Sequence, residues 1–226
     1  MLVELTKERI DWIAYHQLIA PSPLAVSNEN VIFLGPETGR GGRYSFVAEI
    51  ENPNERWFVR RLVYQFVWSG GESRLKDSFL LPGEKTYLFS LNEFSVVPPL
   101  DLKLEIRNIS WQRAGLDQRQ KISLLKELSF RVIKFVPSFE KESRIIPPSL
   151  QLEANNSSAY NFREVEVVIA AYQGKRIVGL ERSLIRVWRR GEKRDLNLNF
   201  VARIDFVTEI VVVPRINFLE PEIFQP

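Results

Sequence analysis

The densest grouping of chemically capable side chains lies late in the chain, where Arg182, Arg186, Arg189, Arg190, Lys193 and Arg194 surround Trp188. Guanidinium forks match phosphate oxygens, and an indole offers a stacking face to a base or sugar, so the cluster is a candidate binding site for an anionic polymer. The competing reading is a solvated turn around Gly191 whose cations pair with Glu192, Asp195 and neighbouring acids. It is favoured because the formal net charge of the whole chain is only +3, where single-strand binders normally line a basic groove with several aromatics. Arg60 and Arg61 form a weaker version of the cluster in the first half.

Carboxylates are spaced i, i+2 at Glu49 with Glu51 and at Glu164 with Glu166. In a strand that spacing puts both on one face, as a glycosidase acid–base pair or a calcium site requires. Each pair falls on the polar face of an alternating strand, so both are expected to face solvent, and no Asp-rich calcium loop is present. His16 is the one histidine and there is no cysteine, which removes thiolate metal sites, disulfides, cysteine nucleophiles and histidine clusters. His16 sits among Trp12, Ile13, Tyr15 and Leu18 and reads as a packing residue. Asn108-Ile109-Ser110 and Asn156-Ser157-Ser158 match the glycosylation pattern and carry no weight here. The expectation is a protein with no catalytic residues, no cofactor and no bound metal.

The elements that hold these residues read as strands. Leu100, Leu102, Leu104 and Ile106 alternate with Asp101, Lys103, Glu105 and Arg107; Tyr44, Phe46, Ala48 and Ile50 alternate with Ser45, Val47, Glu49 and Glu51; Leu62, Tyr64, Phe66 and Trp68 alternate with Val63, Gln65 and Val67. Val165 to Ile169 and Leu196 to Phe200 repeat the period, and Ile210 to Val213 reads as a buried strand. Gly70-Gly71, Pro82-Gly83, Pro98-Pro99, Gly174 and Gly191 punctuate them. Helical spacing occurs at Thr6 to Leu18 and at Asp117 to Leu128, the latter with Asp117 as N-cap. No apolar stretch reaches the ~18 to 20 residues of a membrane helix, and Met1 to Ala20 lacks the order of a signal peptide.

The chain also repeats itself. Ala48 to Asn54, followed by Trp57 and Phe58, aligns with Leu150 to Asn156, followed by Tyr160 and Phe162. Leu81-Pro82-Gly83-Glu84-Lys85 aligns with Arg189 to Lys193, and Leu104 to Trp111 with Glu209 to Ile216. Asn52-Pro53-Asn54 is expected to end a strand by side-chain to backbone bonding, and Pro82-Gly83 to occupy the centre of a type II turn. Trp57 and Phe58 cannot both point to one face, so one of them is a candidate exposed anchor for a partner.

A strand ending in Ile50-Glu51-Asn52-Pro53-Asn54, an amphipathic strand from Leu62 to Trp68 and a turn at Leu81 to Lys85 resemble the immunoglobulin-like sandwich of late-embryogenesis and water-stress-response domains. The second half, with Asn155 to Ser158, Val165 to Tyr172, Ile177 to Gly179 and Gly191-Glu192, is similar to small bacterial domains with an Asn-Ser turn. The tandem also resembles uncharacterised membrane-tethered surface proteins of uncultured bacterial lineages, which usually carry a transmembrane helix and a Cys-rich segment that this chain does not show. The resemblance supplies no catalytic residues and implies a sandwich used for spacing, packing or binding at the cell envelope.

The expected fold is therefore all-β, two tandem immunoglobulin-like or fibronectin-like antiparallel sandwiches. The expected division is an N-terminal segment 1–24, a first sandwich 25–114, a linker 115–128 and a second sandwich 129–226. The expected function is a non-enzymatic structural or protein-interaction module associated with the envelope, whose partner is another protein. The alternative is a basic module for an anionic polymer: nucleic acid, a phosphate-rich wall polymer or an acidic membrane surface.

Overall fold

A computed structural model describes residues 20–37, 41–142, 144–220 and 222–225. The helix expected over Thr6 to Leu18, and His16 with it, lie outside the described residues. The chain is all-β with antiparallel sheets and one short helix among the described residues.

The first half contributes β1 (Ala25–Pro36), β2 (Gly42–Glu51), β3 (Trp57–Trp68), β4 (Gly71–Glu72), β5 (Lys76–Leu80), β6 (Lys85–Ser95) and β7 (Lys103–Arg113). They form one sheet in the order β1-β2-β6 and a second in which β3 lies between β5 and β7, with β4 on its end. The helix α1 (Leu116–Ser123) and a 3₁₀ turn (Leu124–Glu127) lead to β8 (Leu128–Val136) and to a small hairpin, β9 (Phe139–Lys141) with β10 (Arg144–Ile146). Then follow β11 (Ser149–Asn156), β12 (Asn161–Gln173), β13 (Arg176–Trp188), β14 (Lys193–Asn199), β15 (Glu209–Arg215) and β16 (Phe224–Gln225). Their sheets are β8-β11-β14 and β13-β12-β15, with β16 on β12. The connection pattern is the same in both halves: first, second and last-but-one long strands in one sheet, the remaining three in the other.

Alternation explains the inner faces. Phe46 and Ile50 of β2 meet Leu62, Phe66 and Trp68 of β3 in one buried cluster, with Phe46 ring centroids 6.0 Å from Phe66 and 4.6 Å from Trp68. In the second half Leu150 and Leu152 of β11 share a cluster with Val165, Val167 and Ile169 of β12, and Trp188 closes it.

Three sequence expectations need correction. β7 begins at Lys103, not Leu100, because Asp101 takes φ +53° and turns the chain, leaving Leu100 exposed. The helix starts two residues early: Gly115, not Asp117, is the N-cap, its N–H donating to Gln118 Oε1 at 3.0 Å, and Asp117 sits in the first turn paired with Lys121. The expected polar outer face of β2 is not solvated. Ser45, Val47 and Glu49 are all buried, as are Val168, Ala170 and Tyr172 on the outer face of β12. The two outer faces lie on each other: Val47 and Tyr87 share a buried cluster with Val168, Ala170 and Leu180. A strand covered on both sides reads as a continuous apolar run, as β12 does from Val167 to Tyr172. The four sheets thus follow one another as layers, with β1-β2-β6 and β13-β12-β15 in the middle.

Candidate functional site between the two halves

The face-to-face contact is mostly apolar, and its polar residues gather in two knots. Polar groups taken out of water need partners, and each knot supplies them across the two halves.

The first knot centres on Glu49 of β2. Tyr172, at the end of β12, donates its hydroxyl to Glu49 Oε1 at 2.8 Å and lies 2.8 Å from the Tyr87 hydroxyl of β6. Asn28 donates its amide to the same carboxylate oxygen at 2.7 Å, and Lys85 Nζ lies 3.0 Å from Oε2. Asn28 takes φ +50°, a conformation that Asn tolerates better than most residues, and its amide also reaches the Lys175 carbonyl at 3.2 Å. Burial pushes the Glu49 carboxyl up, but the bonds from Asn28, Tyr172 and Lys85 outweigh it and hold the group below its ordinary value. Burial raises both phenols, and in Tyr172 the bonds to Tyr87 and Glu49 add to it. At neutral pH the phenols keep their protons, so the chain Tyr87–Tyr172–Glu49 orients groups by hydrogen bonding and supplies no phenolate nucleophile. The knot borders a cleft of about 630 Å³ that also meets Lys175, Glu209 and Val211.

Arg215, the last residue of β15, makes the second. Its guanidinium donates to Glu84 Oε1 at 3.2 Å, Glu166 Oε2 at 2.9 Å, Ser78 Oγ at 3.0 Å and the Phe79 carbonyl at 2.7 Å, and stands 4.6 Å from the Phe79 ring centroid. Its side chain is 4% exposed. Planar donors in fixed directions let one Arg satisfy four acceptors at once. Burial pushes the Glu84 carboxyl up, with Arg215 pulling against it.

Within each half a buried asparagine ties the strands that position these knots. Asn52 donates its amide to the Trp57 and Leu81 carbonyls, accepts from the Asn54 N–H on Oδ1, and gives its own N–H to the Glu84 carbonyl. Asn156 donates to the Tyr160, Trp188 and Arg189 carbonyls, accepts from the Ser158 N–H, and gives its N–H to Glu192. Gly83 and Gly191 take φ +67° and +69° in the turns that follow, and the Glu84 and Glu192 N–H groups bond back to Leu81 and Arg189, which is the type II arrangement. Asn52 therefore matches Asn156, and the sequence alignment of Asn54 with Asn156 is displaced by two residues. The displacement escapes periodicity because a two-residue shift keeps every side chain on the same face.

The predicted basic cluster does not assemble as a groove. Arg182 lies 3.5 Å from Glu166, Arg186 3.7 Å from Glu164, Lys193 4.0 Å from Glu153 and Arg194 2.8 Å from Glu192. Arg189 and Arg190 are exposed beside the turn. Trp188 is corrected outright: it is fully buried, its ring 5.8 Å from Phe130 and its Nε1–H donated to the Glu192 carbonyl at 3.2 Å, so it offers no stacking face. Of the two candidate anchors, Phe58 is corrected in the same way, being fully buried, while Trp57 is half-buried. Glu49 and Glu166 are likewise corrected from solvent-facing acids to members of the two knots.

Sequence reasoning missed Arg215, Tyr87 and Tyr172 and read Glu84 only as a turn residue. The available signal for Arg215 was its place at the end of the apolar run Ile210 to Val213, where a charge needs a partner. No group of three or more His, Asp or Glu side chains placed to hold a metal occurs among the described residues, and no helix there is long and apolar enough to cross a membrane. No protein-family model matches the chain, and a search of curated proteins finds no significant match.

Proposed function

We propose that the chain is a pair of immunoglobulin-like sandwiches, residues 25–114 and 129–226, joined by the linker 115–128 and acting as a non-enzymatic interaction or scaffold module at the cell envelope. The repeated connection pattern and the repeated asparagine hub support the tandem reading, and the stacked middle sheets make a stiff unit suited to presenting a surface. The observation that carries the interaction reading is the β6–β7 loop. Val96, Val97 and Leu100 are 63%, 49% and 64% exposed there, around Pro98-Pro99. Proline limits the loop's conformations, so a partner meets an apolar surface that loses little freedom on binding. Trp57, half-buried, remains the accessible member of the Trp57–Phe58 pair.

The test replaces Val97 and Leu100 together with Asp. Capture of a partner from envelope extracts is expected to disappear while the urea unfolding midpoint stays in place. Capture that survives the double substitution, or a wild-type chain that is strictly monomeric and retains nothing, removes the reading. The pairing of Arg182, Arg186, Lys193 and Arg194 with acids, and the burial of Trp188, speak against the anionic-polymer alternative.

A further inference from the structure

An open sheet edge is a template for another strand, because its outward N–H and C=O groups are unpaired. The longer edge strands of this protein manage that hazard differently. β1, β5, β6, β7, β8 and β13 all pair through registers that shift, and such irregularities twist an edge out of reach. β14 pairs regularly but carries Lys193, Arg194 and Asp195. β15 has neither device over its centre, which reads Ile210-Val211-Val212-Val213. Its register with β12 runs from Glu209 to Arg215 without a break, and no strand pairs with its other side among the described residues.

Pro214 identifies the open groups. It has no N–H to give β12, so at its register position opposite Val167 its nitrogen points outward, where an edge strand accommodates proline. Ile210 and Val212 share its parity and turn their N–H and C=O groups outward with it. The side chains of Glu209, Val211 and Val213, paired with Tyr172, Ala170 and Val168, face the first half. They line the cleft of about 630 Å³ together with Lys85 and Tyr87 of β6, which pair with Glu51 and Glu49 and so face it from the other side. Lys85 and Val213 also border a second cleft, of about 620 Å³, with Pro214, Ile122 and Leu125. A groove therefore follows β15 along its length. Glu209, exposed at one end of it, makes no ion pair among the described residues.

We propose that β15 takes up an extended segment of another protein as an added antiparallel strand, its backbone on Ile210 and Val212 and its alternate side chains in the groove, aliphatic beside Val211 and Val213 and basic beside Glu209. Main-chain bonds supply the affinity, and the side-chain neighbours supply the sequence preference. The walls made by β6 and by Ile122 and Leu125 leave room for one extended segment rather than for the broad edge of a second folded sheet. The site is separate from the β6–β7 loop and does not rest on that reading.

The test is an NMR titration of the full chain with the peptide acetyl-Thr-Val-Thr-Val-Thr-Lys-amide, which in antiparallel register sets its valines beside Val213 and Val211 and its lysine beside Glu209. The peptide is expected to shift the amide resonances of Ile210 and Val212 and to slow their hydrogen exchange. N-methylation of its second and third threonines, whose N–H groups meet the Val212 and Ile210 carbonyls, is expected to weaken binding at least about tenfold. N-methylation of its two valines, whose N–H groups point away, leaves binding within about twofold. Glutamate in place of the peptide's lysine is expected to cost about threefold, and Glu209→Lys to reverse that preference. Equal loss from either N-methylation, a charge preference that does not reverse, or no protection of Ile210 and Val212 each overturns the proposal. Dimerisation of the chain that protects the same amides without peptide overturns it too, since the occupant is then a second copy.

Discussion

The Asn52 hub and the Asn156 hub make corresponding bonds at the same point of the chain path, Asn156 adding one to the Trp188 carbonyl, yet different side chains lie behind them. Leu81 and Arg189 are the equivalent turn residues, so the strand residue before each turn is Leu80 in the first half and Trp188 in the second, both fully buried. The surrounding cores differ in the complementary sense. The first is built on Phe46, Phe66 and Trp68, the second on Val165, Val167, Ile169 and Ala154. A large residue in one place is balanced by small ones opposite, since cores conserve volume more strictly than identity. The polar hub has no such freedom, because a buried carbonyl left without a donor costs the full desolvation of that group. Geometry is therefore repeated where hydrogen bonds set it, and sequence drifts where volume alone matters.

A second difference lies in the outer faces. The middle sheets meet through Val47, Tyr87, Val168, Ala170 and Leu180, whereas the outer face of β11 presents Gln151, Glu153 and Asn155. Stacking stops where the outward residues turn polar. The first half uses its β1-β2-β6 sheet for the contact and the second uses the sheet of opposite type, so the contact is not symmetric and Arg215 has no counterpart across it.

The largest expected effect comes from breaking that asymmetric contact. Arg215→Ala leaves Glu84 without its cation and Glu166 with Arg182 alone, and loss of one partner from a buried pair typically costs about 3–5 kcal/mol. Urea unfolding followed by tryptophan fluorescence is expected to lose its single transition and separate into two. A wild-type midpoint in this variant would show that the halves are held by the apolar face alone.

Next in size is the comparison of the hubs. Asn52→Ala and Asn156→Ala each strip donors from buried carbonyls, and each is expected to lower stability by about 1–3 kcal/mol. If they are equivalent, the two losses agree closely in chemical denaturation; a marked loss for one and none for the other breaks the equivalence.

The smallest expected effect concerns the first knot. The folded value of Glu49 lies below that of an ordinary glutamate, so its stabilisation is present above the unfolded value and is lost as pH falls through the depressed folded value. Tyr172→Phe removes one of the donors that keeps it low, at about 1 kcal/mol near neutrality. The drop in melting temperature between neutral and acidic pH is expected to shrink in this variant. An unchanged drop would place the acid sensitivity elsewhere.

Periodicity made the strands of this protein legible, together with the inner faces of β2, β3 and β12 and the turn at Pro82-Gly83. These follow from contacts between near neighbours in sequence: the period of two puts alternate residues on one face, and a glycine with positive φ fits a type II turn. The repeat was legible too, but not its register at Asn156, since a shift of two leaves the pattern unchanged. Trp188 looked like part of a basic surface because its charged neighbours are adjacent in sequence, and sequence adjacency does not say which way an indole points.

Length, composition and alternation by themselves determined an all-β chain with no cysteine and a single histidine. Tertiary structure alone decided which outer faces meet. Ser45, Val47 and Glu49 are consistent with a solvated strand face until the second half covers them, and Arg215, Glu84 and Tyr172 become a contact only through pairings separated by more than a hundred residues. The physical reason is that burial is a property of the assembled surfaces. A side chain's local sequence fixes its direction from the backbone, while whether water or another sheet stands there depends on the rest of the chain.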